Sequence, residues 1–189
     1  MSAQDSKLFV ISGPSGAGKG TLVTRVRERR SNLGLTVSAT TRAPRKGEVD
    51  GVNYFFLTRE EFDRRVANGE FVEWAEVHGN CYGTLVSEVT SKLASGSSLI
   101  LEIDVQGALQ VKERFPEAVL IFIKPPSLEV LRDRLVGRGT ETPETIELRM
   151  ANAADELALA DRYDDVVVND DLDRATDELV RVLDIHERI

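Results

Sequence analysis

The sequence predicts an α/β fold in which a parallel β-sheet is flanked by helices. Four short runs, at residues 8–11, 98–103, 118–123 and 166–168, are apolar at nearly every position. Runs of this kind suit strands that are buried on both faces, as in a parallel sheet. Helical patterns follow the runs, and this alternation of strand and helix is typical of α/β proteins. The 189 residues, 41% of them hydrophobic, suffice for one such domain.

The helices near the two ends of the chain show the helical pattern most clearly. After the first strand, Leu22, Val23 and Val26 share one face of a helix. Near the C-terminus, apolar residues repeat at helical spacing at positions 172, 175, 179, 182 and 183. Both helices are therefore expected to pack against the sheet.

One long segment interrupts the alternation and predicts an inserted, mainly β lobe. Residues 38–86 contain strand patterns at 52–57 and 71–77. Between them, Thr58-Arg-Glu-Glu61 has the signature of a capping box, which predicts the start of a short helix.

A second interruption, at residues 127–149, predicts a small helical lid. Ser127 is placed to cap one helix, and Thr142-Pro143 to begin the next. Between them lies Gly137-Arg-Gly139, a flexible and cationic link. The sheet and its helices are then expected to form a core of residues 1–37, 87–126 and 150–189.

Composition limits the possible partners. The 24 Lys and Arg against 32 Asp and Glu give a net charge of −8, whose field repels nucleic acid. Cys81 is the only cysteine and is interpreted as an inert side chain, and no leader pattern or run of roughly 20 apolar residues is evident. We therefore expect a cytoplasmic protein without nucleic-acid or membrane partners, in which local clusters of cations bind phosphate.

The strongest motif is a glycine-rich segment between the first strand and the first helix, which matches the pattern GxxxxGK. Glycines let successive backbone N–H groups point at phosphate oxygens, and the helix N-terminus adds a positive dipole end. A lysine in register places a full charge near the β- and γ-phosphates. The motif predicts a P-loop core that binds the ATP phosphates through Gly13, Pro14, Ser15, Gly16, Ala17, Gly18, Lys19, Gly20 and Thr21.

The expected cofactor is Mg²⁺ bound together with ATP, but its protein ligands are open. Gly20 occupies the position at which such loops usually carry Ser or Thr, and the hydroxyl comes one residue later, on Thr21. Asp104, just past the second apolar run, is a candidate second ligand, directly or through water. Asp104 has two further interpretations, as a contact of the acceptor nucleotide or as a helix cap.

The inserted lobe carries the residue types that a phosphorylated acceptor requires. Arg42 and Arg45 flank a proline, and paired guanidinium groups bind a doubly charged phosphate well. They are followed by Tyr54, by Phe71-Val-Glu-Trp-Ala75 and by Tyr82-Gly-Thr84. From the P-loop to Val168-Asn-Asp-Asp171, the chain resembles the guanylate kinase family.

This resemblance implies ATP-dependent phosphorylation of GMP, and of dGMP since no reader of the 2′-hydroxyl is evident. It implies that the GMP phosphate is held by Arg42, Arg45, Tyr54 and Tyr82. Ser38, Glu73 and Thr84 would surround the guanine. Guanine offers two donors on one edge and a carboxylate accepts both, whereas adenine would turn a lone pair toward it, so AMP should be rejected.

The resemblance also assigns cations to the transfer step. Lys19, Arg42, Arg138 and Arg149 are the expected catalytic residues, with Arg134 and Arg138 on ATP; Arg134 and Arg149 could equally be solvated helix residues. Asn169 and Asp170 are expected near the adenine, with a cap of the last helix as the alternative for Asp170. No general base is required, since the acceptor phosphate is already ionised, and His78 and His186 are assigned to surface or packing roles.

Two rival functions fit parts of the sequence. Some interaction domains resemble guanylate kinases without nucleotide chemistry, but they usually lack an intact P-loop. The second rival is a kinase that acts on another phosphorylated acceptor. Such a kinase would not require the guanine-facing residues. The sequence leaves the oligomeric state open.

Overall fold

The computed structural model of the chain describes residues 6–77, 79–137, 139 and 142–188. Its strands are β1 (Leu8–Ser12), β2 (Gly34–Leu35), β3 (Ala39–Thr40), β4 (Phe55–Phe56), β5 (Phe71–Val77), β6 (Asn80–Leu85), β7 (Leu99–Glu102), β8 (Val119–Lys124) and β9 (Asp165–Val168). Its helices are α1 (Lys19–Arg29), α2 (Arg59–Ala67), α3 (Val86–Ala94), α4 (Val105–Arg114), α5 (Leu128–Gly137), α6 (Pro143–Leu157) and α7 (Leu172–Glu187).

The central sheet is parallel and has the strand order β2-β7-β1-β8-β9. All four apolar runs of the sequence are strands in it, so the predicted α/β fold is confirmed. Parallel strands require crossovers, and the helices supply them on both faces. The carboxyl ends of β1, β7 and β8 therefore meet at one edge, where ligands of such sheets bind.

Alternate residues of β1 point to opposite faces of the sheet and are buried on both. Phe9 and Ile11 belong to a core cluster with residues of α1 and α7. Leu8 and Val10 belong to a second cluster with residues of α3 and α4. Burial on both faces explains why the run contains no polar position.

The inserted segment forms a second sheet with the order β4-β3-β6-β5, as the predicted β lobe requires. The expected strand at 52–57 is wrong in extent, because the strand covers only Phe55–Phe56, and Tyr54 before it makes no more than an isolated bridge with Asp50. The preceding residues form turns instead: the Asn53 side chain accepts the Val49 N–H at 2.8 Å, and Gly51 has a φ of 73°. Thr58 caps α2 by accepting the Glu61 N–H, as predicted.

The segment predicted as a lid contains α5 and the start of α6. Ser127 accepts the Val130 N–H at 3.1 Å, and Thr142 accepts the Thr145 N–H at 3.3 Å, so both predicted caps form. Helix α6 continues to Leu157, past the expected boundary at residue 149. The division into core, lobe and lid therefore remains a prediction.

His186 and Cys81, which lie outside the predicted site motifs, make contacts that are consistent with structural roles. His186 contacts Asp165 at 2.6 Å between Nε2 and Oδ2, and His78 lies outside the described residues. Cys81 is fully buried, and burial raises the pKa of its thiol, in agreement with an inert side chain.

Across the described part of the chain, no helix is both long and apolar enough to cross a membrane.

Candidate active site

The glycine-rich loop packs tightly between the end of β1 and the start of α1. Gly13 and Gly18 have φ values of 143° and 91°, which L side chains rarely adopt. A Cβ on Gly13 would lie 2.3 Å from the Ile123 carbonyl oxygen, and one on Gly18 would lie 2.3 Å from the Asn169 Nδ2. These two positions therefore require glycine for space as well as for conformation.

Lys19 is the first residue of α1 and turns back over the loop. Its Nζ donates to the Gly13 carbonyl at 2.5 Å and to the Pro14 carbonyl at 3.2 Å. Gly20 and Thr21 follow in the first helical turn and are exposed. The lysine charge and the helix N-terminus thus meet at one place, as the motif predicts.

Three predicted site residues contact the loop from the outside: Asn169 and Arg134, expected at ATP, and Arg149, expected to be catalytic. The Asn169 side chain donates to the Ala17 carbonyl at 2.8 Å, and Arg134 donates to the Asn169 carbonyl at 2.8 Å. Arg149 donates to the Ser15 hydroxyl. Arg134 also donates to the Ala17 carbonyl at 3.5 Å, so both arginines contact the loop rather than extending into solvent.

The two remaining predicted ATP-site residues are Asp170 and Arg138, and the structure describes only Asp170. Asp170 pairs with Arg174, and the cap of α7 is Asp171, which accepts the Arg174 N–H at 2.9 Å. The capping alternative for Asp170 is therefore wrong by one residue. Arg138 lies outside the described residues.

The sequence analysis did not identify two carboxylates that lie near Lys19, those of Glu102 and Glu156. Glu102 ends β7, and its carboxylate lies 3.5 Å from the position of a Cβ on Gly20. Burial raises the pKa of Glu102 and of Glu156 on α6, and the Lys19 charge opposes both shifts. Glu102 carried a signal, because it is a lone charge in an apolar strand; Glu156 carried none.

Asp104 is the N-cap of α4. Its Oδ1 accepts the Gly107 N–H at 2.7 Å, so the capping interpretation is confirmed. The same carboxylate lies beside that of Glu73, since a Cβ on Gly107 would be 3.4 Å from Asp104 Oδ1 and 3.3 Å from Glu73 Oε2. A cap and a nucleotide contact are compatible roles for a group in this position.

Glu73 is a buried carboxylate on β5, only 8% exposed. It lies opposite Thr84 in the antiparallel pair of β5 and β6. Burial raises its pKa to about 7, and the charge of Asp104 adds to the shift, while the nearby Thr84 hydroxyl opposes it. The Thr84 hydroxyl is itself buried without a hydrogen bond of normal geometry in the described structure. Two buried polar groups therefore face the same space.

The predicted phosphate ligands of the lobe cluster around Arg42. Its guanidinium lies 5.5 Å from the centre of the Tyr54 ring, and the Tyr54 and Tyr82 rings are 6.2 Å apart. A hydrogen bond to Glu48 raises the pKa of Arg42, and Tyr82 adds to this. Arg45 is exposed, and Ser38 lies half-buried just before β3.

A parallel sheet with a glycine-rich loop after its middle strand is the architecture of P-loop nucleotide-binding proteins. The second cationic cluster, in the inserted lobe, is a candidate site for a second phosphorylated ligand. Comparison with known proteins narrows the class. The sequence model of the guanylate kinase family matches residues 5–186. The chain belongs to the guanylate kinase family.

Individual relatives support membership of this family over nearly the whole chain. A guanylate kinase of Halalkalibacterium halodurans is 52% identical over 97% of this chain and 90% of its own. One of Gloeobacter violaceus is 56% identical over 94% of this chain and 87% of its own. The crystal structure of guanylate kinase from Anaplasma phagocytophilum superposes with a TM-score of 0.74 at 36% identity, over 97% of this chain and 87% of that one.

Proposed function

We propose that this chain transfers the γ-phosphoryl group of ATP to the phosphate of GMP, giving ADP and GDP. The observation that carries the proposal is the buried Glu73 beside the Thr84 hydroxyl. A buried carboxylate needs donors, and the N1–H and amino group of guanine provide two on one edge. Family membership supports the same reaction, and the close relatives bear the name guanylate kinase.

The donor nucleotide binds at the loop that ends with Lys19. Backbone N–H groups of the loop and the α1 N-terminus bind the phosphates, and Lys19 exchanges its carbonyl partners for phosphate oxygens. Arg134, Arg149 and Asn169 keep the loop in shape through their contacts with it. Asp170, which follows directly, is assigned to the adenine side.

Magnesium is expected to enter with ATP. Within the described residues, no group of three or more His, Cys, Asp or Glu side chains could hold a metal ion alone. Mg²⁺ typically binds through one or two carboxylates together with substrate phosphates, and the residues here fit that pattern. Thr21 and Glu102 would hold the ion, directly or through water, whereas Asp104, which lies beside Glu73, is assigned to the acceptor. The ion would neutralise charge on the β- and γ-phosphates.

The acceptor binds in the lobe. Arg42, Arg45, Tyr54 and Tyr82 hold its phosphate, and Ser38, Glu73, Thr84 and Asp104 surround its base. The reacting phosphate oxygen is already ionised, so the protein supplies positioning and positive charge rather than a base. Lys19, Arg42, Arg138 and Arg149 provide that charge. We also propose that the protein is cytoplasmic and that dGMP serves as a second acceptor.

A coupled assay with ATP and each of GMP, dGMP, AMP, CMP and UMP tests the proposal. We expect turnover with GMP and dGMP and at least about 100-fold lower kcat/KM with the others, since Glu73 would be left facing an acceptor. Equal kcat/KM for AMP and GMP would contradict the base assignment. No turnover with any nucleotide would favour the rival function, an interaction domain that catalyses no reaction. The intact glycine-rich loop argues against this rival.

A further inference from the structure

Glu48 lies in the loop between β3 and β4 and joins the two arginines of the lobe. Arg42 Nη2 donates to both of its carboxylate oxygens, at 2.9 and 3.1 Å. The backbone N–H of Arg45 donates to Glu48 Oε2 at 2.6 Å. The turn is closed by a further bond from the Glu48 N–H to the Arg45 carbonyl at 3.0 Å. One carboxylate thus fixes a guanidinium and a backbone segment relative to each other.

The remaining contacts of Arg42 hold the guanidinium from other sides. Nη1 donates to the Ala43 carbonyl at 2.8 Å, and the group lies over the Tyr54 ring. The Arg42 N–H donates to the Thr40 hydroxyl at 3.1 Å, which ties the arginine to the start of the loop. The side chain is only 16% exposed and that of Glu48 20%. Arg42 is therefore ordered before any ligand arrives.

We propose that Glu48 is a positioning residue for the acceptor phosphate: it holds the Arg42 guanidinium in place beside Tyr54 and Tyr82. This role rests on the proposed binding of the GMP phosphate by Arg42. A free arginine side chain loses rotamer freedom when it binds, and a partner that orders it in advance removes that cost from binding. Glu48 contacts only Nη2, so that other N–H donors of the fork can reach a phosphate.

The opposite role, in which Glu48 competes with the phosphate for Arg42, fits the contacts less well. A competing carboxylate would have to leave when the ligand binds. Glu48 is instead bound to the backbone of its own turn at Arg45, and that bond does not depend on Arg42. Its repulsion of the phosphate is modest at a partly exposed site, where water and salt screen the charges.

The test compares Glu48→Gln with Glu61→Gln. The amide oxygen in E48Q still accepts the Arg45 N–H, but the variant loses the charge and the second acceptor for Arg42. Glu61 is a matched control, because it is a carboxylate of the same lobe that pairs with Arg64 and Arg65 away from the loop. Calorimetry with GMP, NMR titration with guanosine and steady-state kinetics are measured for each.

For E48Q we expect the Kd and KM for GMP to rise about tenfold, the loss expected when a charge-assisted pair no longer orders the binding group. The Kd for guanosine, the KM for ATP and kcat should change less than about twofold, since the effect passes through the phosphate. E61Q should match the unaltered protein in all five quantities. Tighter GMP binding by E48Q would show competition and overturn the proposal, as would equal weakening for guanosine and GMP.

A double-mutant cycle separates this proposal from the proposed function. With Arg42→Gln in place, E48Q should have little further effect on GMP binding, because the group it positions is gone. Additive losses would overturn the positioning role while leaving Arg42 as a phosphate ligand. If R42Q alone left GMP binding unchanged, the assignment of Arg42 would itself fail, and the role of Glu48 with it.

Discussion

At the scale of single residues, Glu73 is the group to which the proposed function assigns base recognition, and its ionisation would make recognition dependent on pH. Its pKa is raised to about 7 in the free protein, so below pH 7 it is mostly protonated and donates where guanine also donates. We expect the affinity for guanosine to fall toward tenfold per pH unit below about 7. Guanosine is used rather than GMP because the phosphate of GMP itself titrates with a pKa near 6 and would add a second pH dependence.

The pH prediction is checked by titrating guanosine between pH 5.5 and 8.5 with the unaltered protein and with Glu73→Gln. The variant should bind weakly at every pH and show no slope, because its side chain does not titrate. A slope that persists in E73Q would assign the pH dependence to another group.

The same raised pKa predicts a cost in stability. The carboxyl binds its proton more tightly in the folded state than in the unfolded state, so its contribution is present at low pH and lost as the pH rises through about 7. E73Q removes the titration and should increase the free energy of unfolding at pH 8 by up to about 3 kcal/mol. The gain should shrink toward pH 5. Urea unfolding at both values measures it, and a loss of stability at pH 8 would contradict the account.

Single residues also mark the limit of what the sequence could predict. Lys19, Arg42 and Glu73 lie in local motifs, and the structure places each in the expected part of the fold. Glu156 lies near Lys19 only because the fold brings α6 to the loop, and no local pattern encodes that proximity. Glu48 is close in sequence to Arg42 and Arg45, but the pattern does not show which of the neighbouring carboxylates binds the guanidinium. Asp104 shows the same limit, since the sequence left three roles open and the bond to the Gly107 N–H established the capping role without excluding a nucleotide contact.

At the scale of elements, the loop between β1 and α1 depends on the strand and helix that enclose it. Gly18→Ala would force a strained φ and place a Cβ 2.3 Å from the Asn169 Nδ2, disturbing the bond to Ala17. We expect the KM for ATP to rise at least about tenfold, as for misplacement of a binding loop. Gly96→Ala is a matched control, because Gly96 also has a positive φ, of 83°, but no atom within 4 Å.

G96A should cost about 1 kcal/mol of stability and leave the KM for ATP unchanged. Similar kinetic effects of both variants would mean that backbone strain, rather than the Asn169 contact, shapes the loop. Thermal unfolding and steady-state kinetics of the two variants provide the comparison.

Elements were predictable where burial alone decides them. The β1 and β8 runs are apolar because both faces are covered, and such runs have no alternative to a buried strand of this fold. The expected strand at 52–57 failed because Asn53 and Asp50 side chains accept backbone N–H groups and hold turns there. Side-chain bonds to the backbone compete with strand pairing, and apolar patterning does not report them.

At the scale of the whole molecule, the proposed sites for the two nucleotides lie on different parts of the chain, one on the predicted core and one on the predicted lobe. We expect lobe and lid to close when both ligands are bound, since a site that activates ATP must exclude water. Small-angle scattering with a bisubstrate analogue should show a smaller radius of gyration than the free protein. Equal radii would contradict closure.

Helix α6 joins the segment predicted as a lid to the core. It runs without interruption for 15 residues, about 22 Å, with Arg149 on the loop at Ser15 and Glu156 near the Lys19 charge. Because an unbroken helix moves nearly as one body, a tilt or shift of its first turn would also change the positions of Arg149 and Glu156 relative to the loop. We therefore expect movement of the first turn of α6 and rearrangement of the ATP phosphate contacts to occur together.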